Sequence, residues 1–225
     1  MDLRLVLTRI PAAADRVQSR AEEWANTLSH GLGIGLALLA WPMLAEAAQR
    51  QSGTPGMIGV ALFCASMLLQ YLASTVYHAL PPGRAKQWAR AVDHAAIFVF
   101  IAGSSSPFTL GLLHGPAGVA TCALVWSLAL AGVWLKLHRR LTNRRLSTGV
   151  YILLGWLALL AALPGLRTLD PSALAWLLGG GLAYLLGSAF FLFDASLRFG
   201  HFVWHLFVLA GSGCHVCAAL WPALG

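Results

Sequence analysis

Residues 56–80 read GMIGVALFCASMLLQYLASTVYHAL, and this stretch decides the fold class. Its 25 residues include no Asp, Glu, Lys or Arg. About 20 consecutive apolar residues in a helix cross the hydrocarbon core of a bilayer, which is about 30 Å thick. The stretch therefore predicts a transmembrane helix.

Six further apolar runs of similar length share the rest of the chain. Prolines separate several of these runs, and the connections are too short to hold an extramembrane domain. In lipid, a helix satisfies all of its backbone hydrogen bonds internally. We therefore expect an all-α integral membrane protein, a seven-transmembrane helix bundle, formed by residues 26–225. The other six runs lie near residues 28–48, 88–113, 115–135, 147–166, 172–193 and 200–223.

The composition excludes other classes of protein. Of the 225 residues, 58% are hydrophobic and 10% are charged, whereas a soluble domain is about 25% charged. The net charge is +7, but the basic residues lie in short segments between apolar runs, so we expect no nucleic-acid binding. The four cysteines lie inside apolar runs, where they are interpreted as small packing residues.

Residues 1–25 are predicted to be a short cytoplasmic amphipathic segment on the membrane surface. They carry Arg4, Arg9, Arg16 and Arg20 but no uninterrupted apolar core of the length that a signal peptide requires. A disordered tail is the alternative interpretation of this segment.

The distribution of Lys and Arg predicts the orientation, because cytoplasmic loops are enriched in these residues. Thirteen of the 15 fall in the N-terminal segment and in the connections between spans two and three, four and five, and six and seven. Only Arg50 and Arg167 fall on the other side. We therefore expect a cytoplasmic N-terminus and, after seven spans, a C-terminus outside.

Polar residues inside the spans concentrate near this cytoplasmic side. Ionisable groups within a membrane are costly and usually functional. His78 ends the second span, Asp93 opens the third, and His201 and His205 open the seventh at a spacing that places both imidazoles on one helix face. Three histidines at one depth would give a three-nitrogen site with an open fourth position, the pattern of catalytic zinc.

The chain resembles the haemolysin III branch of the progestin and adipoQ receptor family, which is grouped with alkaline ceramidase-like membrane hydrolases. The resemblance covers the chain from about residue 22 to its end. The matching segments are Glu23-x-x-Asn26-x-x-Ser29-His30-Gly31, Ser74-x-x-Tyr77-His78-Ala79, Asp93-His94-x-x-Ile97-Phe98-x-x-Ile101-Ala102-Gly103-Ser104, and His201-x-x-x-His205-x-Phe207-Val208-x-x-Gly211 followed by His215.

The resemblance implies zinc held by His78, His201 and His205, with Ser74 and Asp93 near the zinc-bound water. Asp93 would then take a proton from the water or orient it, and Ser74 would hydrogen-bond the water or a developing oxyanion. This depth suits a lipid amide or ester as the substrate. The expected function is a zinc-dependent, ceramidase-like membrane hydrolase in the inner (plasma) membrane of a bacterium. The alternatives are a lipid regulator or receptor with structural zinc, and a pore-forming cytolysin.

The other polar residues in or near the spans are given lesser roles. We expect His94 to make a structural hydrogen bond or to support the site, and His30 to cap a helix start or brace the cytoplasmic mouth. His215 lies too far along the seventh span to share the metal and is interpreted as a buried histidine with its hydrogen bonds satisfied. Asp194 is expected to cap a helix or pair with Arg198 at i, i+4, without a chemical role.

Overall fold

A computed structural model describes residues 16–113 and 115–224 and shows a bundle of seven α-helices. Each helix is long and apolar enough to cross a membrane, which confirms the predicted seven-span fold. The helices are α1 (Arg20–Gln51), α2 (Gly53–Ala79), α3 (Arg84–Gly111), α4 (Pro116–Leu137), α5 (Arg144–Leu166), α6 (Pro171–Phe193) and α7 (Gly200–Leu224).

The first helix begins earlier than its apolar run. It starts at Arg20, not near residue 28, because Ser19 and Glu22 form a capping box. The Ser19 hydroxyl accepts from the Glu22 N–H at 3.3 Å, and the Glu22 carboxylate accepts from the Ser19 N–H at 2.9 Å; these bonds satisfy free donors at the helix start. The predicted amphipathic segment falls mostly on residues 1–15, which lie outside the described residues.

Three prolines near the boundaries of the predicted apolar runs lie inside helices. Pro55 and Pro171 belong to the first turns of α2 and α6, and Pro164 to the last turn of α5. Proline is tolerated in a first turn because its missing N–H would have no helical partner there. As a result α1 and α2 are separated by Ser52 alone.

The third helix lies at the centre of the bundle. It contacts α2, α4, α5 and α7, while α1 packs against α2 and α7. Small residues allow the closest approach: a Cβ added to Gly59 of α2 would lie 2.6 Å from the Ser106 carbonyl oxygen of α3. Close packing of this kind drives helix association in lipid, where apolar burial provides no driving force. It fixes the relative positions of α2 and α3, which carry Ser74 and Asp93.

The fifth and sixth helices contact each other only sparsely. By contrast, α6 packs tightly on α7 through Gly180, where an added Cβ would lie 2.9 Å from the Gly211 carbonyl oxygen. The neighbouring Gly179 and Gly181 face open space. Gly180, the middle residue of the Gly179–Gly181 run, thus allows the close contact between α6 and α7.

Candidate metal centre

Three buried histidines from two helices converge at one end of the bundle. His78 lies in the last turn of α2, and His201 and His205 lie one turn apart at the start of α7. One ring nitrogen of each lies within 4.8 Å of those of the other two. All three side chains are buried. The predicted three-histidine cluster is therefore close enough to hold one metal ion.

A carboxylate from α1 orients His78. Glu23 Oε2 lies 2.8 Å from His78 Nδ1, and its other oxygen pairs with Lys86 Nζ at 2.9 Å. Lys86 also donates to the Tyr77 and Leu80 carbonyls at the end of α2. The Lys86 ammonium group therefore balances the charge of Glu23. It also satisfies backbone carbonyls in the last turn of α2, which have no helical N–H partner.

A second carboxylate, from the connection between α6 and α7, orients His201. Asp194 Oδ2 lies 2.8 Å from His201 Nδ1, and the carboxylate forms an ion pair with Arg144 at the start of α5. The expected pairing of Asp194 with Arg198 is therefore wrong. Burial raises the pKa of the Asp194 carboxyl, but hydrogen bonds and charge attraction from His201 and Arg144 outweigh it, so the pKa lies below its ordinary value.

The first helix also orients His205. Its Nδ1 lies 3.0 Å from Ser29 Oγ and 3.2 Å from the Asn26 carbonyl oxygen. The His30 ring stacks on the His205 ring, with 3.6 Å between centroids and 5° between planes. Because α1 begins at Arg20, His30 lies well inside the helix, and its expected capping role is wrong.

The donor set fits a metal ion. Each of the three histidines has a hydrogen-bond partner on Nδ1, which leaves Nε2 for another interaction. His78 Nε2 is buried and has no hydrogen-bond partner among the described residues. A buried polar atom without a partner costs about 1 to 3 kcal/mol. Metal-ligating histidines commonly hold their second nitrogen in this way, which fixes the ring orientation.

Asp93 and Ser74 line the same cavity as His201 and His205. Asp93 is buried and accepts a hydrogen bond from Gln70 Nε2 at 3.0 Å. Ser74 is also buried, and its hydroxyl lies close to the Asp93 carboxylate. Gln70 was not identified from the sequence, although Gln70, Ser74 and His78 recur every four residues and so share one face of α2.

An apolar cavity of about 310 Å³ extends from this centre along the bundle. His201 and His205 line one end, and His215 and Phe108 line the other. Its side wall is formed by α5 and α6, where the cavity-lining residues Trp156, Leu178 and Leu182 are also 50%, 49% and 55% exposed on the outer surface. We call this site, between the sparsely packed α5 and α6, the lateral opening.

The two other cavity-lining histidines of α3 and α7 lie outside the cluster. His94 packs edge-on against Phe191, and its backbone carbonyl accepts from the Tyr151 hydroxyl at 2.8 Å. His215 is buried, but its Nδ1 has no hydrogen-bond partner in the described residues. The interpretation of His215 as a satisfied histidine is therefore wrong.

Comparisons with known proteins agree with this architecture. A family model described as haemolysin-III related matches residues 18–216. The chain is 37% identical over 191 residues to a hemolysin-3 homolog of Bacillus subtilis (strain 168), covering 85% of this chain and 89% of the relative. It is 36% identical over 191 residues to hemolysin-3 of Bacillus cereus, covering 85% and 87%.

A human relative and the solved structures complete the comparison. The monocyte to macrophage differentiation factor of Homo sapiens is 27% identical over 231 residues, covering 98% of this chain and 92% of the relative. No solved structure gives a significant match. The extent of the family match and the identity to the Bacillus proteins show that the chain belongs to the haemolysin III-related family of membrane proteins.

Proposed function

We propose that the chain is a zinc-dependent hydrolase that cleaves an amide or ester bond of a membrane lipid. One observation carries this proposal: a cluster of three buried histidines lies beside a buried carboxylate at the end of an apolar cavity that reaches the bilayer side of the bundle.

Zinc is the metal that suits these ligands best. Three histidines with room for one more ligand match catalytic zinc sites, whereas Mg²⁺ and Ca²⁺ prefer oxygen ligands. Zinc would polarise a carbonyl oxygen and lower the pKa of a water molecule to about 7. The hydrogen bonds that the three Nδ1 atoms make with Glu23, Asp194 and Ser29 support this assignment, because they hold the rings in place before the metal binds.

Asp93 is the proposed proton acceptor, and Ser74 the proposed hydrogen-bond donor. The Gln70 amide orients the Asp93 carboxylate, which would receive a proton from the attacking water and deliver it to the leaving group. The Ser74 hydroxyl lines the cavity close to Asp93, so it can donate to negative charge that develops on the carbonyl oxygen.

The cavity supports a lipid substrate. Its walls are mostly aliphatic and aromatic, and the lateral opening lies where an acyl chain would slide between α5 and α6 from the bilayer. The scissile amide or ester would then stop at the polar end, beside Asp93. The bacterial relatives support the plasma membrane as the location.

The test measures zinc content, thermal stability and fatty-acid release from a panel of acyl lipids. The wild type and Asp93→Asn are compared in the same detergent. We expect both proteins to bind one zinc and to unfold at similar temperatures, and only the wild type to release fatty acid, because an amide cannot accept the proton. Glu46→Gln is the matched control, since Glu46 forms an exposed pair with Arg50 at the opposite end of α1.

Three outcomes would contradict the proposal. Equal release by the wild type and Asp93→Asn, with zinc in both, would remove the catalytic role of Asp93. Bound zinc without release from any lipid would favour the regulator with structural zinc. Dye leakage from liposomes that depends on the protein but not on zinc would favour the pore-forming cytolysin.

A further inference from the structure

The end of the cavity farthest from the histidine cluster contains a polar atom that the proposed reaction does not use. We call this end the distal pocket; it is lined by Phe108, Ala162, Leu177, Tyr184 and His215. His215 follows His205 by ten residues on α7, which corresponds to about 15 Å at 1.5 Å per residue.

The His215 ring is held on several sides. It packs edge-on against Tyr184 and Phe108, with centroid separations of 5.3 Å and 6.1 Å. Gly180 leaves the space that the ring occupies, because a Cβ there would lie 2.4 Å from His215 Cδ2. The Leu177 backbone also lies beside the ring. The ring is therefore pre-organised, although its Nδ1 has no partner among the described residues.

The neighbouring hydroxyl groups are already paired. Tyr71 and Tyr184 both reach Ser212 Oγ, at 2.7 Å and 3.2 Å, and Ser212 donates to the Val208 carbonyl at 2.7 Å. This network occupies the polar groups beside His215. His215 Nδ1 remains available for a group that enters the cavity.

A hydroxyl group suits His215 Nδ1 in either tautomer of the ring. A neutral imidazole has one nitrogen that donates a hydrogen bond and one that accepts, whereas a hydroxyl group can do both. The rest of the partner should be apolar, because the other groups that line the distal pocket are mostly aliphatic and aromatic.

We propose that the distal pocket recognises a hydroxyl group on the acyl chain of the lipid, with His215 Nδ1 as its hydrogen-bond partner. The inference rests on the proposed function, because it takes the cavity to be an acyl-chain site with the reacting carbonyl at the histidine cluster. An extended chain advances about 1.2 Å per bond, since three bonds span about 3.3 to 3.6 Å. A separation of about 15 Å then places the hydroxyl about twelve bonds from the carbonyl.

The experiment measures binding of free fatty acids to the zinc-loaded protein in lipid nanodiscs, by displacement of a fluorescent fatty acid. The probes are stearic acid, 12-hydroxystearic acid and 3-hydroxystearic acid. We expect the wild type to bind the 12-hydroxy acid about five- to tenfold more tightly than stearic acid, as one net hydrogen bond would give. The 3-hydroxy acid should gain no such advantage.

Two variants test the residue. His215→Phe should bind stearic acid as the wild type does and lose the preference for the 12-hydroxy acid. His138→Phe is the matched control; it makes the same exchange at an exposed histidine that does not line the cavity, so it should keep the preference.

The inference is overturned if the wild type binds the three fatty acids with equal affinity or prefers the 3-hydroxy acid. A preference that persists in His215→Phe also overturns it. These measurements do not depend on turnover. If the wild type releases fatty acid but shows no preference for the 12-hydroxy acid, only the proposal for the distal pocket is refuted. If it shows the preference but releases no fatty acid, only the proposed hydrolase function is refuted.

Discussion

Replacing Asp194 should weaken metal binding although Asp194 is not a proposed ligand. Its carboxylate is 2.8 Å from His201 Nδ1 and pairs with Arg144, and its side chain is only 4% exposed. Partners that orient a metal-bound histidine typically contribute 10- to 100-fold to metal affinity, or about 1.4 to 2.7 kcal/mol. Asp194→Asn keeps an acceptor for His201 but loses the charge, so we expect a loss of about tenfold. Asp194→Ala removes both, and a loss of about 100-fold is expected.

The assay is competition for zinc between the purified protein and a chelating indicator dye. Glu46→Gln serves as the control, because it removes an exposed carboxylate at the other end of the bundle and should leave the affinity unchanged. His201→Ala calibrates the full loss of a ligand. If both Asp194 variants bind zinc within twofold of the wild type while His201→Ala does not, the orienting role of Asp194 is refuted.

Four further measurements test the centre, the lateral opening and the orientation. His205→Ala should lose stoichiometric zinc and His215→Ala should retain it; zinc retained in His205→Ala would end the ligand assignment. Gly181→Trp should slow lipid hydrolysis at unchanged zinc content because Gly181 lines the cavity, whereas Gly179→Trp on the same helix should not; both positions have open space for a side chain. A C-terminal reporter should be active outside the cytoplasm, and activity only inside would reverse the predicted orientation. The pKa of Asp194 is lowered in the fold, so the ionised carboxylate should stabilise the fold above its ordinary pKa of 3.8, and this stabilisation should be lost as pH falls below that value. The difference in melting temperature between metal-free wild type and Asp194→Asn should therefore shrink between pH ~6 and ~3.

The sequence contains enough information to predict the spans and the histidine cluster. Span length follows from bilayer thickness, and the i, i+4 spacing of His201 and His205 places both on one helix face. His78 ends an apolar run, so the bilayer fixes its depth, and this depth matches that of His201 and His205. These features depend on local periodicity and on the membrane, so a single sequence is sufficient to read them.

The partners of the histidines could not be predicted in the same way. The pairing of Asp194 with Arg198 assumes a continuous helix, but α6 ends at Phe193 and the connection includes Phe199 at φ 58°, a conformation that few non-glycine residues adopt. This connection brings Asp194 to His201 and to Arg144 of α5. Such contacts depend on how a loop is folded and which helices are neighbours, which a hydropathy pattern does not specify.

The bundle separates the groups that would hold the metal from those that would admit a lipid. The histidines lie on α2 and α7, and the groups that orient them come from α1 and from the connection before α7. Helix α1 packs against both α2 and α7, and α2 packs closely against α3, so a bound metal would join α2 and α7, which α1 already holds together. None of the three histidines lies on α5 or α6, whose sparse contact forms the lateral opening. An acyl chain would thus enter between two helices that carry none of the three histidines, while the Arg144–Asp194 pair joins α5 to the connection before α7 at the end nearest the cluster. That ion pair is the link between the two functions, which is why a substitution at Asp194 should alter metal affinity while one at Gly181 should alter only access.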